Sequence, residues 1–292
     1  MGMLNKILVP LDGSDLAERA LTYATALAGA TGATLLLVRA AFSHTLAGVD
    51  PRERQLGALQ EAEAYLQQIA TKVRDQGFAC ETVARYGHAA ECITESARTR
   101  HVDLIVMATH GRTGPGRWVL GSVAESVVAT SPVPVLVQRA WQPLFGETLL
   151  NDRPRPKVIV PLDGSAFAET ALETAASLAE DLGAKLILVR VEGGPDGLHA
   201  ARPYLPMLRT RLAEKHPRLV IDTDVRVGDA AFGIEQMVAE HEAALVVMAT
   251  HGRGAAMRAI LGSVAGKLVQ QCDVPLVLMR PVRVEASELA EV

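Results

Sequence analysis

Aromatic residues and cysteines are scarce in this chain of 292 residues. Aromatics make up 4% of it while hydrophobic residues make up 49%, so the core must be built from Ala, Val, Leu and Ile. Such a composition suits buried parallel strands covered by Ala-rich helices. The three cysteines, Cys80, Cys92 and Cys272, are odd in number and form no CxxC pair. This argues against a disulfide framework and favours a reducing cytoplasm.

An excess of basic residues and a long apolar run are also missing. The formal net charge is −4, which does not suit binding to nucleic acid or to an anionic membrane. No run of about 18 apolar residues predicts a membrane span, and Met1 to Pro10 lacks the pattern of a signal peptide. We therefore expect a cytoplasmic protein that binds neither nucleic acid nor membranes.

The chain contains an internal duplication. Residues 6–14 recur as 157–165 with an offset of 163 − 12 = 151, and residues 106–112 recur as 247–253 with an offset of 252 − 111 = 141. The second copy is therefore shorter by 151 − 141 = 10 residues, lost between the counterparts of Arg39 and Val83. A period this long indicates two domains. We predict domains at residues 1–140 and 157–283, a proline-containing linker at 141–156, and a tail at 284–292.

Strands and helices alternate in each copy. The apolar runs of the first copy predict strands at 7–11, 34–40, 80–84, 104–108 and 133–137, with helical periodicity between them. This alternation predicts an α/β fold of two tandem, doubly wound, mostly parallel five-stranded sheets of Rossmann-like type. Ligands bind such sheets at the carboxyl ends of the strands.

A glycine-containing loop follows the fourth strand of each copy. Ala108-Thr109-His110-Gly111 precedes Gly121-Ser122 by nine residues, and the second copy repeats this spacing from Ala249 to Ser263. The free amides at the start of the following helix favour a phosphate. A single Gly-Ser pair before a helix is usually only a cap, but the repeated spacing after two buried strands favours binding.

These loops resemble those of the universal stress protein family over nearly the whole chain. ATP-binding members of that family carry G-x2-G-x9-G-[ST], and this chain departs from the motif in having Ala108 and Ala249 at the first glycine position. Alanine adds only a methyl group, so the loop should survive if the backbone there is not at positive φ. The resemblance implies an adenine nucleotide alpha hydrolase-like fold, ATP as the ligand, and a role in stress response. Whether magnesium accompanies the ATP stays open.

The resemblance also implies that an Asp after the first strand and a Val on the second strand hold the adenosine. Capping of the next helix is the alternative role for that Asp. The predicted nucleotide-binding residues of the first copy are Pro10, Asp12, Val38, Met107, Ala108, Gly111, Arg112, Gly121, Ser122, Val123 and Ala124. Those of the second copy are Pro161, Asp163, Val189, Met248, Ala249, Gly252, Arg253, Gly262, Ser263, Val264 and Ala265.

The two predicted sites are not equivalent. The second loop has Ala255 and Met257 where the first has Gly114 and Gly116, so it should be stiffer and bulkier. We expect the first site to bind nucleotide more tightly.

The sequence shows no catalytic residue. It contains no Walker A motif, no nucleophile elbow and no base beside an activated nucleophile. The histidines do not form a metal-binding set, and the second copy lacks counterparts of Cys80, His88 and Cys92. We therefore expect little or no turnover. A slow ATPase, or an interaction or small-molecule-binding protein that has lost ATP, remains the alternative.

The position of the last strand of each copy indicates how the two domains could pair. Because Pro134 and Pro275 lie in these predicted strands, and proline belongs at sheet edges, each strand should lie at the rim of its sheet. Members of the family commonly dimerise through this strand. The two domains are thus expected to pair within the chain, and a further homodimer stays open.

Overall fold

The computed structural model describes residues 4–42, 50–109, 120–139, 155–251 and 261–280. The first half contains β1 Lys6–Pro10, α1 Asp15–Glu18, α2 Ala20–Thr31, β2 Thr34–Ala41, α3 Pro51–Asp75, β3 Cys80–Tyr86, α4 Ala89–Thr99, β4 Leu104–Ala108, α5 Ser122–Thr130 and β5 Val135–Gln138. This order confirms the alternation of strands and helices that the apolar pattern predicted.

The second half repeats that order. It contains β6 Lys157–Pro161, α6 Ala166–Glu169, α7 Ala171–Asp181, β7 Lys185–Glu192, a 3₁₀ turn Pro195–Gly197, α8 Leu198–Lys215, β8 Val220–Val227, α9 Ala230–Glu240, β9 Leu245–Ala249, α10 Ser263–Gln271 and β10 Leu276–Met279. The 10-residue difference between the copies falls in the crossover between the second and third strands. There α3 has 25 residues and α8 has 18.

The strands of both halves form one sheet. Its order is β3-β2-β1-β4-β5-β10-β9-β6-β7-β8. Every pairing within a half is parallel, whereas β5 and β10 pair in antiparallel fashion, with Leu136 opposite Val277. The α/β class and the five parallel strands of each half are as predicted. The two predicted five-stranded sheets are joined into one ten-stranded sheet, because backbone hydrogen bonds connect β5 and β10.

The two prolines lie just before these central strands rather than within them. β5 begins at Val135 and β10 at Leu276, so the predicted start of the last strand was too early. Each proline carbonyl still accepts a hydrogen bond, from Ile105 N (3.0 Å) and Val246 N (3.1 Å) respectively. A residue without an N–H is therefore accommodated at the end of the ladder.

A hydrophobic core covers each face of the sheet, because successive strand residues point to opposite faces. Ile7 and Val9 of β1 pack with α2 and α3, while Leu8 packs with α4 and α5. The helices of the second half continue both layers. Strand β4 is buried along its whole length, as its unbroken apolar run predicted. Among the described residues, no helix has both the length and the apolar character needed to cross a membrane.

Candidate functional site

A cavity of about 190 Å³ opens at the carboxyl ends of the strands of the first half. Its lining includes the predicted residues Pro10, Asp12, Val38, Met107, Ala108, Gly121, Ser122, Val123 and Ala124. Gly111 and Arg112 lie outside the described residues. The sheet topology thus brings residues from three strands and the start of one helix to one place. The first and last of them, Pro10 and Ala124, are more than 100 positions apart in sequence.

The cavity also has walls that the sequence reasoning missed. These are Leu11, Ala17, Ala40, Ala89, Ile93 and Thr109. Three of them are alanines, which carry no chemical signal in a sequence. The periodicity of β2 could have found Ala40, because it follows Val38 by two residues and so points to the same face.

A tight turn after β1 holds Asp12 at the cavity wall. The backbone N–H and the hydroxyl of Ser14 both donate to Asp12 Oδ1, at 2.9 and 2.6 Å. Gly13 between them has φ of 84°, a conformation that favours glycine. The Ser14 hydroxyl oxygen accepts from Ala17 N at 3.2 Å and so caps α1. Ser14, and not Asp12, is therefore the helix cap.

The second half repeats this turn. Asp163 Oδ1 accepts from Ser165 N at 2.9 Å and from its hydroxyl at 2.6 Å. Ser165 in turn accepts from Ala168 N at 3.1 Å and caps α6. Ser165, and not Asp163, is therefore the helix cap in the second half.

The backbone of β2 offers polar groups to the cavity at Ala40. Thr34 N donates to Asn5 O (2.9 Å), and Val38 O accepts from Leu11 N (2.8 Å). Even-numbered residues of β2 therefore turn their backbone groups towards β1. Since β1 ends at Pro10, the N–H and C=O of Ala40 face the space beyond the end of that strand.

Val38 accordingly lines the cavity with its side chain, while its carbonyl is engaged in the sheet. The same holds in the second half, where Leu162 N donates to Val189 O at 2.8 Å. Val191, two residues later, takes the place of Ala40. The backbone groups at the open edge thus belong to Ala40 and Val191, two residues beyond those predicted.

The pair of side chains at this edge differs between the halves. By the two repeat offsets, Ala40 and Cys92 of the first half correspond to Val191 and Gly233 of the second. A Cβ placed on Gly233 would lie 2.9 Å from Cγ2 of Val191. The side chain of Val191 therefore occupies space next to α9. The smaller Ala40 fills less of the corresponding space in the first half.

The start of α5 forms the other end of the cavity. Gly121 is the N-cap, Ser122 is the first helical residue, and no side chain in the described part of the chain caps this helix. The Ser122 hydroxyl could either cap the helix or bind a phosphate oxygen, and the structure gives it no capping role. Gly121 N donates to Thr109 O at 2.7 Å, which closes the two ends of the loop onto each other. The first amides of α5 lie at the cavity, at the positive end of the helix dipole.

The matching elements of the second half carry the second set of predicted residues. Gly262 is the N-cap of α10 without a side-chain cap, and its N–H donates to Thr250 O at 2.8 Å. Pro161, Val189, Met248 and Ala249 lie on β6, β7 and β9, while Ser263, Val264 and Ala265 open α10. Gly252 and Arg253 lie outside the described residues. Since β5 and β10 are antiparallel, the two sites lie at opposite edges of the sheet.

Alanine fits at the position where the family motif has its first glycine. Ala108 and Ala249 are the last residues of β4 and β9. Among the described non-glycine residues, only His101 and Glu242 have positive φ. Ala108 and Ala249 therefore do not have positive φ, which is the condition for accommodating the extra methyl group.

The described residues provide no cluster of three or more His, Cys, Asp or Glu side chains arranged to hold a metal ion. Burial raises the pKa of the Cys80 and Cys92 thiols. A raised pKa disfavours the thiolate form that binds metals. Cys92 is buried and Cys80 is partly buried.

The chain is similar to proteins of one known family. A model of the universal stress protein family matches residues 3–139 and again 154–280. A universal stress protein of Thermus aquaticus is 39% identical over 145 residues, which are 47% of this chain and 100% of that protein. One from Mycolicibacterium smegmatis is 25% identical over 70% of each chain.

A solved structure shows the same arrangement of two halves. The universal stress protein of Archaeoglobus fulgidus superposes with a TM-score of 0.76 over 95% of this chain and 99% of that one, at 22% identity. At that identity the likeness concerns the fold. Because the family model matches both halves, the chain belongs to the universal stress protein family and carries two copies of its domain in tandem.

Proposed function

We propose that this protein binds ATP at the carboxyl edge of each half and acts in stress response and regulation, with little or no turnover. The observation that carries the proposal is the convergence of three groups on one cavity. They are the uncapped N-terminus of α5, the carboxylate of Asp12, and the backbone edge of Ala40.

Each group suits one part of the nucleotide. The amides of Ser122, Val123 and Ala124 and the helix dipole attract the phosphates. The Asp12 carboxylate accepts hydrogen bonds from ribose hydroxyls. The N–H and C=O of Ala40 match the acceptor and donor on the edge of adenine. This assignment replaces Val38 with Ala40 as the group that reads the base.

The lining favours binding over hydrolysis. Among the described residues of the cavity wall, Asp12 is the one titratable side chain, and it already accepts two hydrogen bonds from Ser14. A positioned general base is thus missing from the part of the wall that is described. An accompanying Mg²⁺ would find oxygen atoms of suitable chemistry on Asp12 and Ser122.

We propose that the first site binds ATP more tightly than the second. Gly114 and Gly116, on which the sequence-based prediction of unequal sites rests, lie outside the described residues. Independent support comes from Val191, whose side chain stands against Gly233 where the first half has the smaller Ala40. The larger Val191 side chain leaves less room for the base in the second site than Ala40 leaves in the first.

Titration of the full chain with ATP tests the proposal, using Val123→Glu and Val264→Glu to disable one site each. Val123 is 39% exposed at the cavity. A carboxylate in the first turn favours the helix but repels a phosphate, so affinity at the altered site should fall about tenfold or more, which is about 1.4 kcal/mol. Val123→Gln and Val264→Gln are the matched neutral controls.

Mass spectrometry of ligand released on denaturation identifies what the protein carries from the cell. Absence of nucleotide there, together with no heat on titration, would favour a family member that has lost ATP. Phosphate release in a single-turnover assay would instead favour a slow ATPase. Equal binding by the Glu and Gln variants would place the ligand elsewhere.

We propose further that the β5–β10 pairing acts as a dimer interface built into one chain, whether or not two chains then associate. The structure forms no disulfide among the three cysteines, all of which lie in its described part. We propose a cytoplasmic location, because three cysteines without a CxxC pair do not suit a disulfide framework.

A further inference from the structure

Arg139 crosses from the first half to the second. It follows β5, is 7% exposed, and donates through its guanidinium to the carbonyls of Gln270, Gln271 and Cys272. These carbonyls end helix α10, and they have no acceptor role within the helix. A guanidinium at this position also complements the negative end of the helix dipole.

Arg280 makes the reciprocal contact. It follows β10 and donates to the carbonyl of Ala129, near the end of α5. The offset between the two arginines, 280 − 139 = 141, is the offset of the Gly-Ser pairs, 262 − 121 = 141. Arg280 is exposed and is seen with one such bond, whereas Arg139 is buried and has three. Arg139 thus provides the stronger tie.

Each helix held in this way has its other end at a candidate site. Helix α10 has nine residues, about 13.5 Å at 1.5 Å per residue, and a helix this short moves as a rigid unit. Its C-terminus rests on Arg139 of the first half, and its N-terminus presents Ser263, Val264 and Ala265 to the second site.

The residue before each arginine is tied to the loop of its own site. Gln138 O accepts from Thr109 N at 2.8 Å, and Thr109 O accepts from Gly121 N at 2.7 Å. In the second half, Met279 O accepts from Thr250 N, and Thr250 O accepts from Gly262 N, both at 2.8 Å. A hydrogen-bonded path therefore runs from the helix start of one site to the helix end of the other.

We propose that Arg139 positions the phosphate-binding helix of the second site, and Arg280 that of the first, so that each site depends on a residue of the opposite half. The two sites are thereby coupled through α5, α10 and the central strands. This inference rests on the proposed nucleotide function of the sites. The test compares ATP binding at the site that each arginine supports with binding at the other site.

Arg139→Met removes the guanidinium and keeps the stem. In the full chain carrying Val123→Glu, where only the second site operates, we expect this change to weaken ATP binding about fivefold, a size usual for coupled sites. In the chain carrying Val264→Glu, where only the first site operates, affinity should change less than about twofold. Arg280→Met should instead weaken ATP binding at the first site and leave the second site nearly unchanged. The loss of affinity should be smaller than that caused by Arg139→Met.

Two controls separate positioning from general damage. Arg139→Lys keeps one charged donor and should restore part of the affinity. Arg74→Met removes a guanidinium that donates to Cys80 O (2.7 Å) at the outer strand, and it should leave both sites unchanged. An equal loss at both sites after Arg139→Met, or a loss confined to the first site, would overturn the inference.

Hydrogen exchange provides a readout that does not need ATP. Arg139→Met should speed exchange at the amides that open α10 and leave those of α5 unchanged. If neither single-site chain binds ATP, the proposed function fails, and this exchange pattern alone decides the positioning role. Equal exchange changes in both helices, or none, would refute it.

Discussion

At the scale of single residues, the two copies differ in the pair of residues that pack between the second strand and the helix beside it. The first half combines Ala40 with Cys92, and the second combines Val191 with Gly233. The Cys92 sulfur lies within 4.0 Å of the Arg85 carbonyl, and Ala40 lines the cavity. In the second half the larger strand residue fits only because α9 carries a glycine opposite it.

Alanine substitution of two helical glycines separates packing from helix propensity. Gly233→Ala would place its Cβ 2.9 Å from Val191, and overpacking of this kind lowers the free energy of unfolding by about 1–3 kcal/mol. A Cβ on Gly266 of α10 meets nothing within 4 Å, so Gly266→Ala should raise it by about 0.5–1 kcal/mol. Urea denaturation of both variants measures the difference. A stabilising Gly233→Ala would contradict the packing argument.

At the scale of elements, helices α7 and α8 are joined by a histidine between two carboxylates. Both ring nitrogens of His216 face glutamate oxygens of α7, Nδ1 at 2.8 Å from Glu180 and Nε2 at 3.2 Å from Glu173. Both nitrogens can donate only in the protonated ring. Burial lowers the pKa of His216, but the hydrogen bonds to Glu180 and Glu173 outweigh it, and the pKa is raised overall.

This raised pKa makes stability depend on pH. Because the folded pKa exceeds the unfolded value of about 6.5, the contribution of His216 is fully present below that value and is lost as pH rises through the folded pKa. Between about pH 6 and pH 8.5, the wild-type protein should lose thermal stability relative to His216→Gln. Melting curves at several pH values test this, and parallel pH profiles for the two proteins would refute it.

At the scale of the whole molecule, the β5–β10 pairing makes both halves share one sheet and both hydrophobic cores. Leu136 and Val277, opposite each other at this junction, are both fully buried. The junction therefore has the character of a protein core rather than of a surface contact. We expect the halves to unfold together.

Leu136→Asp should uncouple the halves. An isolated carboxylate at this position would be buried without a partner, so the free energy of unfolding should fall by more than about 3 kcal/mol, and one calorimetric transition should become two. Val220→Asp, at a 41% exposed position on the outer strand β8, is the control, with an expected change of about 0.5 kcal/mol or less. A single, merely lowered transition for Leu136→Asp would argue against a joint core.

Local patterns determined much of this protein. The apolar runs predicted the strands, and the repeated motifs predicted two copies of one domain. The same motifs singled out Asp12, Ala108 and Ser122, which do line one cavity, because each lies directly after a strand or before a helix. Gly111, Arg112, Gly252 and Arg253 stay predictions, as do ATP binding and the domain boundaries.

Only the tertiary structure decided the features that depend on contacts between distant segments. Tyr65 donates to Glu18 and lies under Arg39, and Tyr204 does the same with Glu169 and Arg190. Their offset, 204 − 65 = 139, matches neither repeat offset, so sequence alignment could not pair them. The single sheet, the backbone edge at Ala40 and the crossed arginines are of the same kind. Sequence periodicity reports which face of an element is buried, while strand order and hydrogen-bond register arise from which elements meet.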